Sequence, residues 1–285
     1  MKKSKKILSV LLAVLLIGAL FTGCSQKSGI AEEITDDTML IAYTEECEPF
    51  LYTNANGELD GFEAKLVESI FDSIKGEYKS YKFVKVDPDY ELNENGAYTD
   101  GDGKEYKAVM LCGAIHKNTG TVNEDYAWSE NIIENNIITV VPSGSSITAY
   151  NNIQGARVGV YSQLCSDALD KQATIKNSLA SVTAYNSAEE LLAALDAGEI
   201  DAAVIDDFSF RPLEGASTYT VLNGTLDTVE YGFAFARSND FSENFNEAVK
   251  EMLSEDYGDG DTLTPIVEQY FGYPEACVFD YGTEE

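Results

Sequence analysis

Three glutamates, Glu45, Glu46 and Glu48, crowd the end of the first apolar run of this chain, and a fourth acid, Asp206, closes the later run "DAAVID". Carboxylates so placed can accept charge-assisted hydrogen bonds from an ammonium group, which are stronger than neutral ones. Alternatively one of them, Glu46 for instance, can move a proton if burial brings its pKa toward neutrality. Other reactive groups are few. The single histidine, His116, follows Cys112 by four positions. A thiol and an imidazole can form a nucleophile–base pair, but that spacing alone does not bring them together. There is no Cys-x-x-Cys pair and no Gly-rich phosphate loop, so neither a structural zinc site nor another cofactor is expected. The run Asp100-Gly101-Asp102-Gly103 lacks EF-hand spacing and reads as a solvated turn.

Strands and helices must hold these groups in place. "MLIAY" (39–43), "KAVML" (107–111), "NIITVVP" (136–142), "ARVGVY" (156–161) and "IDAAVI" (200–205) are short apolar runs of buried-strand type, and "YKFVKV" (81–86) alternates as a strand does. "VEYGFAFA" (229–236) reads as one further strand. Leu66, Val67, Ile70, Phe71 and Ile74 recur at helical spacing and Gly76 is a stop signal. A second helix is expected from about Ser166. A third follows the capping box of Ser187 and Glu190, with Asp207 as cap or solvated neighbour of a turn after Asp206. Two more are marked by Phe245, Val249, Met252 and Leu253, and by Thr264-Pro265 with proline at the first helical position. Residues 87–104 read as a surface excursion. The alternation predicts largely parallel α/β sheets, whose ligands lie beyond the carboxyl ends of the strands. Segments 44–52, 112–117, 162–166 and 206–208 are therefore the ones to watch.

The amino terminus sets the compartment. Lys2, Lys3, Lys5 and Lys6 precede an apolar stretch, residues 7–21, that ends at "FTGC". This is the layout of a secretory signal, too short to span a bilayer comfortably. It resembles a lipoprotein cleavage site, with 1–23 as signal peptide, Cys24 as the lipidated residue, and 24–36 as a tether. The chain is then extracellular and anchored to the membrane by lipid. With 49 acids against 19 bases, four of them in the leader, its surface repels nucleic acid and anionic headgroups, so no nucleic-acid partner is expected. Roughly 260 mature residues suffice for two modest domains. Cys47, Cys112, Cys165 and Cys277 leave two readings open: one or two disulfides, or four free thiols.

Five blocks in register carry a resemblance. They are "EPFLYTNANGELDGFEAKLVESI", "GARVGVYSQLCSDAL", "SAEELLAALDAGEIDAAVIDDF", "YGFAFARSND" and "IVEQYFG". The chain resembles the extracellular solute-binding proteins of polar amino acid ABC transporters (solute-binding protein family 3). The resemblance implies a two-lobed periplasmic-binding-protein-like α/β fold, each lobe a mostly parallel sheet flanked by helices, joined by two crossing strands. Lobe one would comprise 37–138 and 231–285, and lobe two 139–230, with crossings near 139–143 and 228–233. It further implies a monomer that closes its cleft on a small molecule and hands it to ABC permease subunits.

The same resemblance makes Asp206 the acceptor for a ligand amino group, with helix N-capping in lobe two as its alternative role. Elsewhere the chain departs from the family. No arginine stands between Gly113 and Ser129 to clamp an α-carboxylate, and Lys117 or His116 is the available substitute. The lobe-two turn reads Ser162, Gln163, Leu164, of which Gln163 can donate. The family's stacking aromatic falls on Cys47, which leaves Phe50, Tyr52 or Trp128 to form the apolar wall. With Glu45, Glu46 and Glu48 at its mouth, such a cleft favours an amino acid or cationic amine over an acidic ligand. An enzyme on the same fold (a dehydratase or lyase using cleft carboxylates) and a ligand-sensing surface lipoprotein are the alternatives.

Overall fold

The computed structural model describes residues 29–90, 92, 98–117, 126–236, 241–253 and 261–279. The leader and Cys24 lie outside them. In chain order the first elements are β1 (Thr38–Tyr43), β2 (Tyr52–Thr53), β3 (Leu59–Asp60), α1 (Phe62–Ile74), β4 (Ser80–Lys85), β5 (Tyr98–Thr99), β6 (Glu105–Tyr106), β7 (Ala108–Cys112) and β8 (Tyr126–Trp128). There follow β9 (Ile133–Pro142), β10 (Arg157–Val160), α2 (Gln163–Lys171), α3 (Ala173–Lys176), β11 (Ser181–Ala184), α4 (Ala188–Asp196), β12 (Ala202–Asp206) and α5 (Asp207–Phe210). The last are β13 (Tyr219–Val221), β14 (Asp227–Tyr231), β15 (Ala234–Ala236), α6 (Phe241–Leu253) and α7 (Leu263–Phe271).

All six residues of β1 are buried, as a strand covered on both faces requires. Its odd members Met39, Ile41 and Tyr43 pack with α1, α6 and α7. Leu40 and Ala42 face Val84, Leu111 and a layer of Tyr90, Tyr98 and Tyr126. The described part of the stretch expected to be a surface excursion (87–104), with the strand that follows it, is thus more than that, because Tyr90, Tyr98 and Tyr106 cover the second face of the sheet. Within it the β5–β6 hairpin is closed by Asp100 Oδ1, which accepts the N–H groups of Asp102 and Lys104 at 3.0 and 2.9 Å. Part of the expected tether is docked as well: Tyr81 exchanges backbone hydrogen bonds with Gly29 and Ala31.

Two main sheets result. One has the order β4-β1-β7-β15-β8, the other β11-β10-β12-β9-β13 with β14 also on β9. Both are mixed rather than mostly parallel. β1 is parallel to β4 and β7, and β10 to β11 and β12, but β8, β9, β13, β14 and β15 all pair antiparallel. The chain passes from the first sheet to the second between Trp128 and Ile133, ahead of 139–143, and returns between Tyr231 and Ala234. "VEYGFAFA" is therefore two strands. β14 serves the second sheet and β15 the first. At the break Phe233 N–H donates to Ser129 Oγ (3.0 Å), and a side chain at Gly232 would strike that hydroxyl.

Helix ends follow local chemistry. Ser162 Oγ accepts the Cys165 N–H (3.2 Å), so α2 starts at Gln163 rather than near Ser166. Ser187 caps α4 through the Glu190 N–H, while the Glu190 carboxylate reaches back to Asn186 N–H, one residue beyond the Ser187 N–H of a true capping box. Asp261 Oδ1 accepts from Leu263 and Thr264, which sets Pro265 at the third position of α7 instead of the first. Among the described residues no helix is long and apolar enough to cross a membrane.

Candidate functional site

Parallel neighbours β1 and β7 end side by side, Tyr43 opposite Cys112. The chain leaving β7 turns at once. Gly113 has φ 95° and Ala114 φ 55°, the left-handed region that only glycine enters freely. A side chain at residue 113 would sit 3.0 Å from the Glu45 carbonyl oxygen. This tight turn and the chain leaving β1 enclose a pocket of about 360 Å³ whose lining includes Glu45, Cys47, Gly113, Ala114, His116 and Trp128.

Behind the turn sits Glu63, in the first turn of α1 and 2% exposed. Its carboxylate accepts the N–H groups of Gly113 (2.8 Å) and Ala114 (3.1 Å), and the Cys112 thiol also bonds to it. Burial lifts its pKa to about 7, against the downward pull of those three hydrogen bonds. Burial likewise raises the thiols of Cys112, well above the ordinary value, and of Cys47. Cys112 is wholly buried and engaged with Glu63, so it forms no nucleophile–base pair with His116. The imidazole of His116 is pushed down by burial and by Lys171.

Asp206 ends β12 and is 5% exposed. Its Oδ1 accepts from Asn135 Nδ2 and from Ser209 N–H, both at 3.1 Å, and its Oδ2 takes the hydroxyl of Tyr161. It is therefore the cap of α5. Asp207, expected to be that cap or solvated, is instead buried and bonded to Arg211 Nε at 2.8 Å. Tyr161 loses acidity through burial and then through Asp206. Tyr231 links this cluster to the pocket. Burial raises its hydroxyl to about 12, with Cys47 and Asp206 adding to the shift, and its ring meets His116 edge-on at 5.7 Å.

The other sequence-picked residues scatter. Cys47, Gly113 and Trp128 line the pocket. Phe50 is core, 3% exposed, with its ring 4.5 Å from Tyr231 and 5.1 Å from Phe271. Tyr52 pairs with Asp60 in the β2–β3 ladder. Glu46 is exposed, its Oε2 held by Thr53 N–H at 2.8 Å, which is not the buried setting a general acid requires. Lys117 donates to Asn131 Oδ1 at 2.6 Å, and burial lowers its pKa. Exposed Gln163 bonds Asp167 at 2.6 Å. Arg157 is bound to Asp201 and Arg211 to Asp207, while Arg237 lies outside the described residues. All four described cysteines are free thiols, and no cluster of described residues suits a metal ion.

No protein-family model matches the chain, and no curated protein matches it. Solved structures do. A substrate-binding protein of a polar amino acid ABC uptake transporter from Streptococcus thermophilus aligns over 84% of this chain and 87% of its own, at 17% identity and TM-score 0.61. The L-cystine solute receptor of Neisseria gonorrhoeae, unliganded and open, aligns over 83% and 93%, at 16% identity and TM-score 0.61. The second substrate-binding domain of Lactococcus lactis GlnP, also open, aligns over 84% and 97%, at 16% identity and TM-score 0.56. The chain has the two-lobed fold of these substrate-binding proteins.

Sequence reasoning missed Glu63, Tyr161, Asn135 and Tyr231. Two of them carried a signal. Glu63 occupies the buried stripe of α1 with Val67, Ile70 and Ile74, where a charge is out of pattern. Asn135 falls on the inward beat of β9, between buried Ile133 and Ile137.

Proposed function

We propose that this chain is a lipid-anchored extracellular binding protein that captures an amino acid or a related small cationic amine and delivers it to an ABC importer. The observation that carries the reading is the pocket at the carboxyl ends of β1 and β7, set in a two-lobed substrate-binding fold. A ligand would lie between lobe one (37–138 and 231–285) and lobe two (139–230). Its ammonium would draw on Asp206 and on the glutamates at the pocket mouth. The cationic preference rests on charge: Glu45, Glu46 and Glu48 are exposed there, and among the described residues both arginines are bound to aspartates of their own. Membrane attachment through Cys24, a monomeric state and contact with permease subunits belong to the same proposal. Binding is favoured over catalysis because the glutamates at the pocket mouth are exposed, while the Asp206 carboxylate already accepts three hydrogen bonds and keeps an acceptor position for an ammonium.

A thermal-shift screen of the mature protein tests it. Ligands that bind only the folded state raise the melting temperature. L-Arginine, L-lysine, putrescine and choline should outperform L-glutamate and L-aspartate, with the hit recovered chemically unchanged. A larger shift with the acidic amino acids would refute the charge argument. Turnover of the hit would refute the binding role.

A further inference from the structure

Glu63 takes no part in the proposed capture of a ligand, yet it is the most deeply buried acid among the described residues of lobe one and touches the pocket's wall from behind. Its carboxylate spans both N–H groups of the Gly113–Ala114 turn, at 2.8 and 3.1 Å. That turn is unfavourable in itself, because Ala114 holds a left-handed φ of 55°, which persists only where the surroundings enforce it. The enforcing group is titratable. As a carboxylate it accepts every donor it faces. Once protonated, one oxygen becomes a donor pointed among donors, and the hold on the turn weakens. Few other charges intervene. Cys112 of β7 and Cys47 of the chain after β1 face it as thiols, with Glu45 beyond Cys47. α6 and α7 meet α1 through Phe245, Val249, Val267 and Phe271. Among the described residues no lysine or arginine pairs with it.

We propose that Glu63 is a buried positioning residue whose ionisation state sets the geometry of the Gly113–Ala114 wall and so makes the pocket's grip on an amine depend on pH. The binding half of this statement rests on the function proposed above, whereas the geometric half does not. With the carboxyl poised at about 7, the wall changes state across the neutral range. Protonation at lower pH slackens the wall and removes a negative charge beneath it, and both effects weaken the hold on a cation.

The chain supplies its own reporter. Trp128 is the only tryptophan and lines the same pocket as Gly113 and Ala114. Its fluorescence, followed without ligand between about pH 5 and 9, should show a one-proton transition with its midpoint near 7. Glu63→Gln should abolish that transition while circular dichroism shows an intact fold. Cys112→Ala leaves Glu63 in place and removes a donor to it, so it should move the midpoint upward. It thereby serves as the test should the Gln variant fail to fold. His116→Gln separates the other titrating group of the pocket and should leave the transition where it is. A wild-type transition that persists in Glu63→Gln, vanishes in His116→Gln, or does not exist would overturn the proposal. Calorimetry with L-arginine and putrescine forms the second arm. Affinity should rise several-fold from about pH 6 to 8 in the wild type and stay flat in Glu63→Gln. A fluorescence transition without binding of either probe would refute the proposed ligand class and leave the positioning role standing.

Discussion

The buried acid behind the pocket should tax the fold in a way that pH reveals. An ordinary glutamate ionises near 4.5, and burial takes Glu63 to about 7. Between those values the folded chain retains a proton that the unfolded chain has released. Stability therefore falls as pH rises from about 4.5 to about 7, and is level on this account above that. Each pKa unit corresponds to about 1.4 kcal/mol, so the ionised form costs up to about 3 kcal/mol in the fold. Glu63→Gln removes the titration and keeps an oxygen able to accept from Gly113 or Ala114. Near pH 5 the variant should be about 1 kcal/mol less stable than the wild type, through a poorer hydrogen-bond fit. By pH 8 the order should reverse, the difference having moved by about 2.5 kcal/mol in the variant's favour. Urea unfolding followed by circular dichroism at several pH values measures it. The other titrating groups are common to both proteins and cancel in the difference. A difference that does not change with pH would refute the argument, because it would mean that Glu63 ionises in the fold as it does in the open chain.

Asp206→Asn replaces one acceptor oxygen with an amide NH2 and so turns a donor toward the donors of Asn135, Ser209 and Tyr161. It should lose about 1–3 kcal/mol of stability by urea unfolding and roughly 1.5–3 kcal/mol of amine affinity by calorimetry. Unchanged affinity would remove Asp206 from the site. Tyr161→Phe frees Asp206 Oδ2 from the phenol. It should cost about 1 kcal/mol of stability yet tighten amine binding, and weaker binding would show that the phenol helps the ligand instead of competing with it. Thiol titration of the native mature protein with a chromogenic disulfide should modify exposed Cys47 first, Cys277 more slowly, and buried Cys112 and Cys165 only on unfolding. Prompt reaction of Cys112 would contradict its burial beside Glu63.

What the sequence made legible was set by short-range pattern. β1, α1, α4 and β12 announce themselves through contiguous apolar runs, helical spacing and a cap, all of which act within a few residues. Strand direction does not act locally. The runs that became β9, β14 and β15 look like any buried strand, and only their partners, up to 125 positions away, make the sheets mixed. The site divides in the same way. The location of the pocket follows from β1 and β7 being parallel neighbours, so Cys47, Gly113 and His116 were within reach of the strand-end rule. The Glu63 clasp joins residues fifty positions apart, and Asn135 meets Asp206 across seventy-one, contacts that no spacing encodes.

Asp206 shows why one residue resists a single label. Helix capping and ligand binding look like rival readings of a carboxylate at a strand end, and the geometry joins them. By capping α5 the acid fixes the turn that carries Phe208. That ring reaches Phe271 of α7 at 4.7 Å and Phe50 at 5.9 Å, an aromatic contact with the core around the first sheet, and Tyr231 at the end of β14 at 6.0 Å. Asn135 reinforces the arrangement, donating to Asp206 and accepting from Phe208 N–H at 3.3 Å. An amine that draws on Asp206, as the proposed function requires, therefore competes with the bonds that hold Phe208 against the other lobe. A ligand that shares this carboxylate, as proposed above, therefore alters the turn through which Phe208 meets Phe271 and Phe50.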